Sequence, residues 1–297
     1  MASTRQIFQR RKAVTSLSRV TRTLEMISTS RYRQYSNRRA SIEDYHDALA
    51  TAAVLLSTAR VPIEHPLLQD NHSGRSAILA IGSRRGLCGS YNDRIFRLIR
   101  IHRRQAQRKN CHLDIYLSSG RLEGILKYHQ VEPTQVIADV DEMPATQQME
   151  RLTDLFLRQY LAGELDSLGI VYMRYFSASS QKVQTLTVLP LTELVDDLVT
   201  QSKVVWPWIL TFEDFELSPS ADRLIGEVVR MVLHYSILNC FVEAALSEHF
   251  ARMVAMRNAT DNAEDMIKQL TNEYNRARQT QITNELLDIV SGTEALE

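Results

Sequence analysis

The sequence predicts an α/β domain carried on a long antiparallel coiled coil that the two chain ends build together. The first observation behind this is the placement of helix breakers. All 7 prolines, and all of the 10 glycines except Gly292, lie between Pro62 and Gly226, so Met1 to Val61 and Glu227 to Ser291 contain neither. In a helix interior glycine costs roughly 1 kcal/mol against alanine and proline about 3. Two uninterrupted helices at the ends therefore flank one punctuated middle segment. The second observation is that short apolar runs alternate with helical spacings inside that middle segment, as strands and helices do in α/β folds. A barrel, a sandwich or a repeat array would spread its turn residues along the whole chain. The expected divisions are a coiled-coil helix over 1–61, an α/β domain over 62–219 and a second coiled-coil helix over 220–297.

The first helix is expected from Thr4, an acceptable N-cap residue, to Pro62, which stops it. Ile7, Val14, Leu17, Val20, Leu24 and Ile27 recur at three, four and seven residues and give it one apolar stripe. Ala48, Ala52, Val54, Leu55 and Leu56 continue the apolar character. At ~1.5 Å per residue, about 55 residues span roughly 80 Å.

The middle segment opens with the apolar run Ala77 to Ile81, which reads as a buried strand. Asn92 to Arg108 has helical spacing through Ile95, Phe96, Leu98 and Ile99. A second strand is expected over Leu113 to Leu117, a short helix over Arg121 to Tyr128 and a weaker strand over Gln135 to Val140. A helix over Thr146 to Leu161 follows, then strands over Gly169 to Phe176 and Val183 to Leu189. This order implies a central Rossmann-like domain, a mostly parallel sheet closed by a late hairpin. The segment Gly82 to Gly89 follows a strand and precedes a helix, where phosphate loops sit. It matches neither GxGxxG nor GxxxxGK[ST], so it reads as a tight strand-to-helix turn, although Arg84 and Arg85 offer charge for an anion.

The last helix starts near Ser220 or Asp222 and carries a heptad. One register holds Ile225, Val232, Asn239, Leu246, Met253, Thr260, Ile267 and Tyr274. The other holds Val228, Tyr235, Val242, His249, Met256, Ala263, Leu270 and Ala277. The stripe then drifts to Ile282, Leu286 and Ile289, as a 3.6-residue helix does against a seven-residue repeat, and Gly292 is expected to end it. Asn239 and Thr260 read as register-setting polar residues in a seam, His249 as packing, and Met253, Met256 and Met266 as core filler. Two one-striped helices at opposite chain ends pair antiparallel and bury each other's stripe. The product is a rod, suited to be a strut, lever or axle.

Lys plus Arg and Asp plus Glu are both 35, so the formal charge is zero, but it is unevenly distributed. Met1 to Ala40 holds ten basic residues and one acid, Glu25, while Glu132 to Glu216 holds fourteen acids and five bases. Such polarity points to a charged partner or to an assembly with matched surfaces. An Arg-rich start also fits an organelle transit peptide, and a basic helix with Tyr32 and Tyr35 interleaved fits a nucleic-acid-binding surface. No stretch is apolar for the ~18 residues a membrane span needs. Cys88, Cys111 and Cys240 form no metal or CxxC spacing, and an odd count fits a reducing compartment. Cys88 has no evident His or Asp partner, and no HExxH, GxSxG or paired-carboxylate motif occurs. A small α/β enzyme would have to rest on Cys88 or on Arg84 and Arg85.

Three stretches carry a resemblance. Thr21 to Arg31 (TRTLEMISTSR) resembles the first-helix signature of the γ subunit of F-type ATP synthases, and Ser83 to Asn92 (SRRGLCGSYN) resembles that family's strand-to-helix loop. Ser247 to Ala263, which ends in ATDNA, is followed by Tyr274 to Gln279 (YNRARQ), Ile282 to Glu285 (ITNE) and Ile289 to Gly292 (IVSG), and is the most specific of the three. The match runs from Met1 to Leu296 and accounts for the basic start without a transit peptide. The resemblance implies a rotor shaft whose coiled coil enters a ring of three α and three β subunits. Its α/β domain would lie beside the ε subunit and above the membrane ring of c subunits, on the cytoplasmic face of a bacterial membrane. It implies no catalytic site, no cofactor and no metal in this chain, no nucleic-acid partner, and contact with the membrane only through the complex.

Carried over residue by residue, the resemblance places Leu24, Glu25 and Met26 at the contact with the β-subunit lever. It places Arg278, Gln279 and Thr283 at an upper contact inside the ring. Phe215 and Glu216, in Phe215 to Pro219 (FELSP), resemble the foot near the c ring, with Arg31 and Arg33 beside them. The sequence departs from the family pattern at Leu24, where methionine is usual, at Arg84, where aspartate is usual, and at Leu217, where proline is usual.

Overall fold

The computed structural model describes residues 4–58, 66–137, 140–142, 144–192, 194 and 221–294. Helix α1 is Thr4–Thr58. Then come β1 (Arg75–Ala80), α2 (Tyr91–Arg108), β2 (His112–Leu117), α3 (Gly120–Tyr128), β3 (Gln135–Val136), α4 (Thr146–Leu161), β4 (Ser167–Ser177) and β5 (Ser180–Leu189). The last helix, α5, is Ala221–Glu294. The chain forms two compact units, Met1–Ser30 with Arg252–Glu297, and Arg31–Ala251.

In the unit Arg31–Ala251, the five strands lie in the order β3-β2-β1-β4-β5. β1 pairs parallel with β2 (Ile78 opposite Ile115) and with β4 (Ile78 opposite Gly169), and β4 and β5 form an antiparallel hairpin. Alternation along β1 explains the layers. Ala77 and Leu79 face one core with α4 and the Val232 to Ala244 stretch of α5, including Met149, Phe156, Leu168, Ile170 and Phe241. Ile78 and Ala80 face the other, with Ile95, Phe96 and Ile99 of α2 and Leu122 and Leu126 of α3. A strand covered on both faces reads as an unbroken apolar run, which is why AILAI stood out.

β3 is shorter than the expected Gln135 to Val140. Pro133 has no N–H to give, and the Thr134 hydroxyl takes the amide of Ile115 (3.0 Å). β2 ends at Leu117, so a strand beyond Val136 has no ladder to join. Gly82 leaves β1 where α3 packs hardest, and a Cβ there would lie 2.8 Å from Leu122 Cβ. Both atoms are set by backbone, so Gly82→Ala is expected to cost about 1–3 kcal/mol. Calorimetry should show a melting temperature lower by roughly 2–12 °C; an unchanged melt would refute this tight approach.

In the unit Met1–Ser30 with Arg252–Glu297, α1 and α5 pair antiparallel. Thr4 donates to Gln281 (2.9 Å), Phe8 and Tyr274 rings lie 6.0 Å apart, and the Thr21 and Thr260 hydroxyls meet at 2.7 Å. The α5 registers hold, with Met256, Thr260, Ala263 and Leu270 buried. The α1 stripe holds only in part. Ile7, Thr21 and Ser28 are buried and Val14 and Leu24 half-buried, whereas Leu17 (56%), Val20 (55%) and Ile27 (50%) stand exposed. A two-helix seam takes only two of seven positions, and here those are 7, 14, 21 and 28 with 11, 18 and 25. Ile282 and Leu286 are exposed as well, because Thr4 already meets Gln281 and α5 continues past the described start of α1. Gly292 does not end α5, which continues to Glu294; one glycine in a helix costs only about 1 kcal/mol. Pro62 lies outside the described residues.

Candidate functional site

Two places merit a functional reading: the crevice at the carboxyl ends of the parallel strands, and the outer surface of the coil.

β2 and β4 flank β1, reached by crossovers in opposite directions, so a crevice opens at the carboxyl end of β1. Open α/β sheets bind ligands at such a point. Its loop has the means to hold an anion. The Ser83 amide donates to Asn92 Oδ1 (2.9 Å), which braces the turn, and Leu87 and Gly89 take left-handed conformations at φ 64° and 59°. The amides of Arg84 and Arg85 converge on one carboxylate, Glu248 of α5, at 3.0 and 3.4 Å. Glu248 is 3% exposed. Tyr91 donates to the Ala244 carbonyl (3.1 Å) and Ser247 to the Met173 carbonyl (3.0 Å), which seats α5 on the crevice. The remaining hollow, bordered by Gly82, Asp141, Glu142 and Glu248, is about 20 Å³, room for no more than a water. The chain's own helix and carboxylate occupy the ligand position.

The candidate enzyme residues are used structurally. The Arg84 guanidinium donates to Asp141 Oδ1 (3.1 Å), and this bond, followed by one from Gln148, holds the Asp141 carboxyl below its usual range. Asp141 thus answers the positive charge of Arg84. Cys88 is buried, with its thiol directed at the Arg85 carbonyl (3.7 Å).

An aromatic cluster fastens α1 to the sheet and to α5 within the same unit. Tyr32 and Tyr175 share a hydroxyl contact of 2.7 Å, and Phe250 lies 5.6 Å from Tyr32. Burial, then the hydrogen bond with Tyr32, pushes the Tyr175 phenol up to about 12. Tyr35 stacks on His249 (5.3 Å), and burial, then the Glu142 carboxylate, raises its phenol well above the ordinary value. His249 Nε2 lies 2.9 Å from Glu142 Oε1, so the seam histidine both packs and pairs. Arg39 and Arg174 approach buried Glu243 at 3.5 and 3.8 Å. Sequence reasoning gave Glu243 and Glu248 no role. The available signal was two carboxylates five residues apart in a largely apolar helix stretch.

On the coil, the residues expected at the partner contacts fall at two levels. Leu24 and Glu25 are half-buried and Met26 is 63% exposed; Arg278, Gln279 and Thr283 are exposed. With Thr4 against Gln281 and Thr21 against Thr260, the levels are separated by roughly 30 Å at ~1.5 Å per residue. Arg31 and Arg33 are exposed, and Arg31 donates to Gln34 (3.1 Å). Phe215, Glu216 and Leu217 lie outside the described residues. Part of the basic start is engaged within the coil: Arg22 pairs with Glu264 (2.6 Å), and Arg11 lies over the rings of Phe8 and Tyr274.

The family model described as ATP synthase matches residues 3–296. An ATP synthase gamma chain of Rhodopirellula baltica is 36% identical over 300 residues, covering the whole of both chains. The chain belongs to the ATP synthase gamma-chain family. A gamma chain of Leptospira biflexa is 31% identical, again over the whole of both chains. Among solved structures, a chain from the rotor of Euglena gracilis mitochondrial ATP synthase matches with TM-score 0.63 at 19% identity, over 94% of this chain and 98% of that one. A chain from the central stalk and c-ring of the Tetrahymena thermophila enzyme gives 0.53 at 17%, over 81% and 99%.

The gamma-chain signatures divide between seam and surface. In ATDNA, Thr260 and Ala263 are buried while Asp261 and Asn262 face outward; in YNRARQ, Tyr274 reaches Phe8 while Arg276, Arg278 and Gln279 face outward. No helix among the described residues is long and apolar enough to cross a membrane.

Proposed function

We propose that this chain is the central shaft of a rotary ATP synthase. The observation that carries the reading is a second apolar stripe on α1. Leu17, Val20 and Ile27, with Met26 beside them, are left out of the coil seam, and apolar surface of this kind marks an interaction site. A surrounding ring of three α and three β subunits supplies the partner. Because a single shaft cannot touch three sites alike, its differential contacts shift the three conformational equilibria in turn as it rotates. Leu24, Glu25 and Met26 form one contact level, Arg278, Gln279 and Thr283 the other. Arg31 and Arg33, with Phe215 and Glu216, face the c ring, and the ε subunit flanks the α/β domain. The working division is coil 1–61, α/β domain 62–219 and coil 220–297. The chain is peripheral, on the cytoplasmic face of a bacterial membrane. The filled crevice supports the reading that it has no catalytic site, and that nucleotide is turned over by its partners.

Reconstitution tests this. The isolated chain should hydrolyse no ATP, and should co-purify with an α3β3 ring and confer coupled turnover on it. Met26→Ala, and separately Arg278→Ala, should each weaken uptake roughly tenfold, as truncating one interface anchor does. Failure of the unaltered chain to enter the ring would sink the proposal.

A further inference from the structure

Between Arg94 and Lys109 the chain carries seven Arg or Lys and no Asp or Glu. A solvated helix face ordinarily mixes signs, because like charges three or four residues apart repel. α4 does so, with Glu150, Arg151, Asp154 and Arg158. α2 does not: Arg94, Arg97, Arg104 and Arg108 line its outer face, and Arg100 and Arg103 flank them, all exposed. Elsewhere arginines meet carboxylates, as Arg22, Arg75 and Arg230 do. Among the described residues no salt bridge engages the guanidiniums of Arg97, Arg100, Arg103, Arg104 or Arg108.

Three of these cations, Arg100, Arg103 and Arg104, border a groove. Two hollows of about 570 and 310 Å³ share Arg103 and Val131 as lining residues. The floor is apolar: half-buried Leu113 of β2, with the buried Ile115 of β2 and Phe96 of α2 beneath it. On the far rim His129 lies flat on Phe96, with ring centroids 4.4 Å apart and 16° between planes, and Lys127 is held by Glu123 at 2.6 Å. Glu132 is the single acid of the lining. An arginine fork matches phosphoryl oxygens two at a time, and an apolar floor beside convergent cations is the usual make-up of a small-ligand site.

We propose that the groove between α2 and the end of α3 binds a multiply charged, phosphate-bearing anion, gripped by Arg100, Arg103 and Arg104. The inference does not depend on the shaft role. The same chemistry is offered by a free polyphosphate, such as the phosphate chain of a nucleotide, and by phospholipid headgroups.

The test uses the full chain at fixed ionic strength, in two arms: calorimetric titration with tripolyphosphate, and co-sedimentation with vesicles of phosphatidylglycerol in phosphatidylcholine against phosphatidylcholine alone. Binding should saturate at one site per chain in the titration, or require the anionic lipid in the vesicle arm. Arg103→Glu with Arg104→Glu should weaken it at least roughly tenfold, and Arg103→Lys with Arg104→Lys, which keeps charge but loses the fork, by less. Arg10→Glu with Arg19→Glu, equal in charge change, should leave it intact, and circular dichroism should show all variants folded. Groove-dependent binding in the first arm assigns a free phosphate ligand, in the second a headgroup, and either upholds the site. No saturable binding in either arm, or equal loss in the Arg10 and Arg19 variant, overturns it.

Discussion

Met256→Pro is expected to unfold the coil around its site and to cost about 3 kcal/mol or more. Met256 is buried in the α5 seam, one turn before Thr260. Proline there removes the amide that bonds the carbonyl four residues back and drives its ring into that carbonyl. Loss of part of a buried methionine adds about 1–2 kcal/mol. A kink also draws Thr260 away from Thr21, whose hydroxyl it meets at 2.7 Å, and the Thr260 hydroxyl lies 2.9 Å from the Met256 carbonyl. Circular dichroism should show lost helix and an earlier, broader melt. Met256→Leu is the control: it keeps volume and backbone bonding and should cost less than about 1.5 kcal/mol. A proline variant that melts with the leucine one would contradict a continuous helix through this seam. On the proposed shaft role, the proline variant should also fail to confer coupled turnover on a ring, because torque cannot pass a break.

The same reasoning gives the absence of glycine and proline from 227–291 a mechanical sense. Many soluble helices carry a glycine at small cost, so stability alone does not demand 65 residues without one. A helix that must bend nowhere does.

How much could be read beforehand depended on whether a residue's partner lies nearby, elsewhere in the chain, or outside it. The α4 range was legible to the residue because Met149, Leu152, Phe156 and Tyr160 repeat at helical spacing and all are buried by the same sheet face. The mostly parallel sheet and its late hairpin followed from the alternation of elements, but the order β3-β2-β1-β4-β5 did not, and the end of β3 is set by where β2 stops. The stripe on α1 was misread at Leu17, Val20 and Ile27 because hydrophobicity does not say whose surface will cover it. The seam chose small and polar residues instead, and Thr21 and Ser28 let the helices approach closely. Glu248 was missed for another reason: a carboxylate in a largely apolar helix stretch signals a buried partner, but here the partners are backbone amides, which every residue has, so the pattern does not say where they lie.

Those amides give the second large effect. Glu248→Ala should loosen the Gly82 to Gly89 loop and cost about 3 kcal/mol, because it removes two hydrogen bonds to a charged group, each worth about 1.5–3 kcal/mol. Hydrogen exchange at the Arg84 and Arg85 amides should quicken, and the melt should fall. Glu248→Gln keeps one acceptor but turns a donor toward the loop, so it should land between the two. If instead the alanine variant exchanges and melts like the unaltered chain, the carboxylate does not hold the loop. Added acetate discriminates further. The truncated side chain leaves space where the carboxylate stood, and the loop still presents two converging N–H groups at the carboxyl end of β1, the position from which α/β proteins grip phosphate. Acetate should therefore restore part of the lost stability to the alanine variant and none to the unaltered chain. Recovery of that kind identifies the loop as an anion receptor that folding has already filled, and explains why a domain with this sheet order holds a helix where its relatives in architecture hold a ligand.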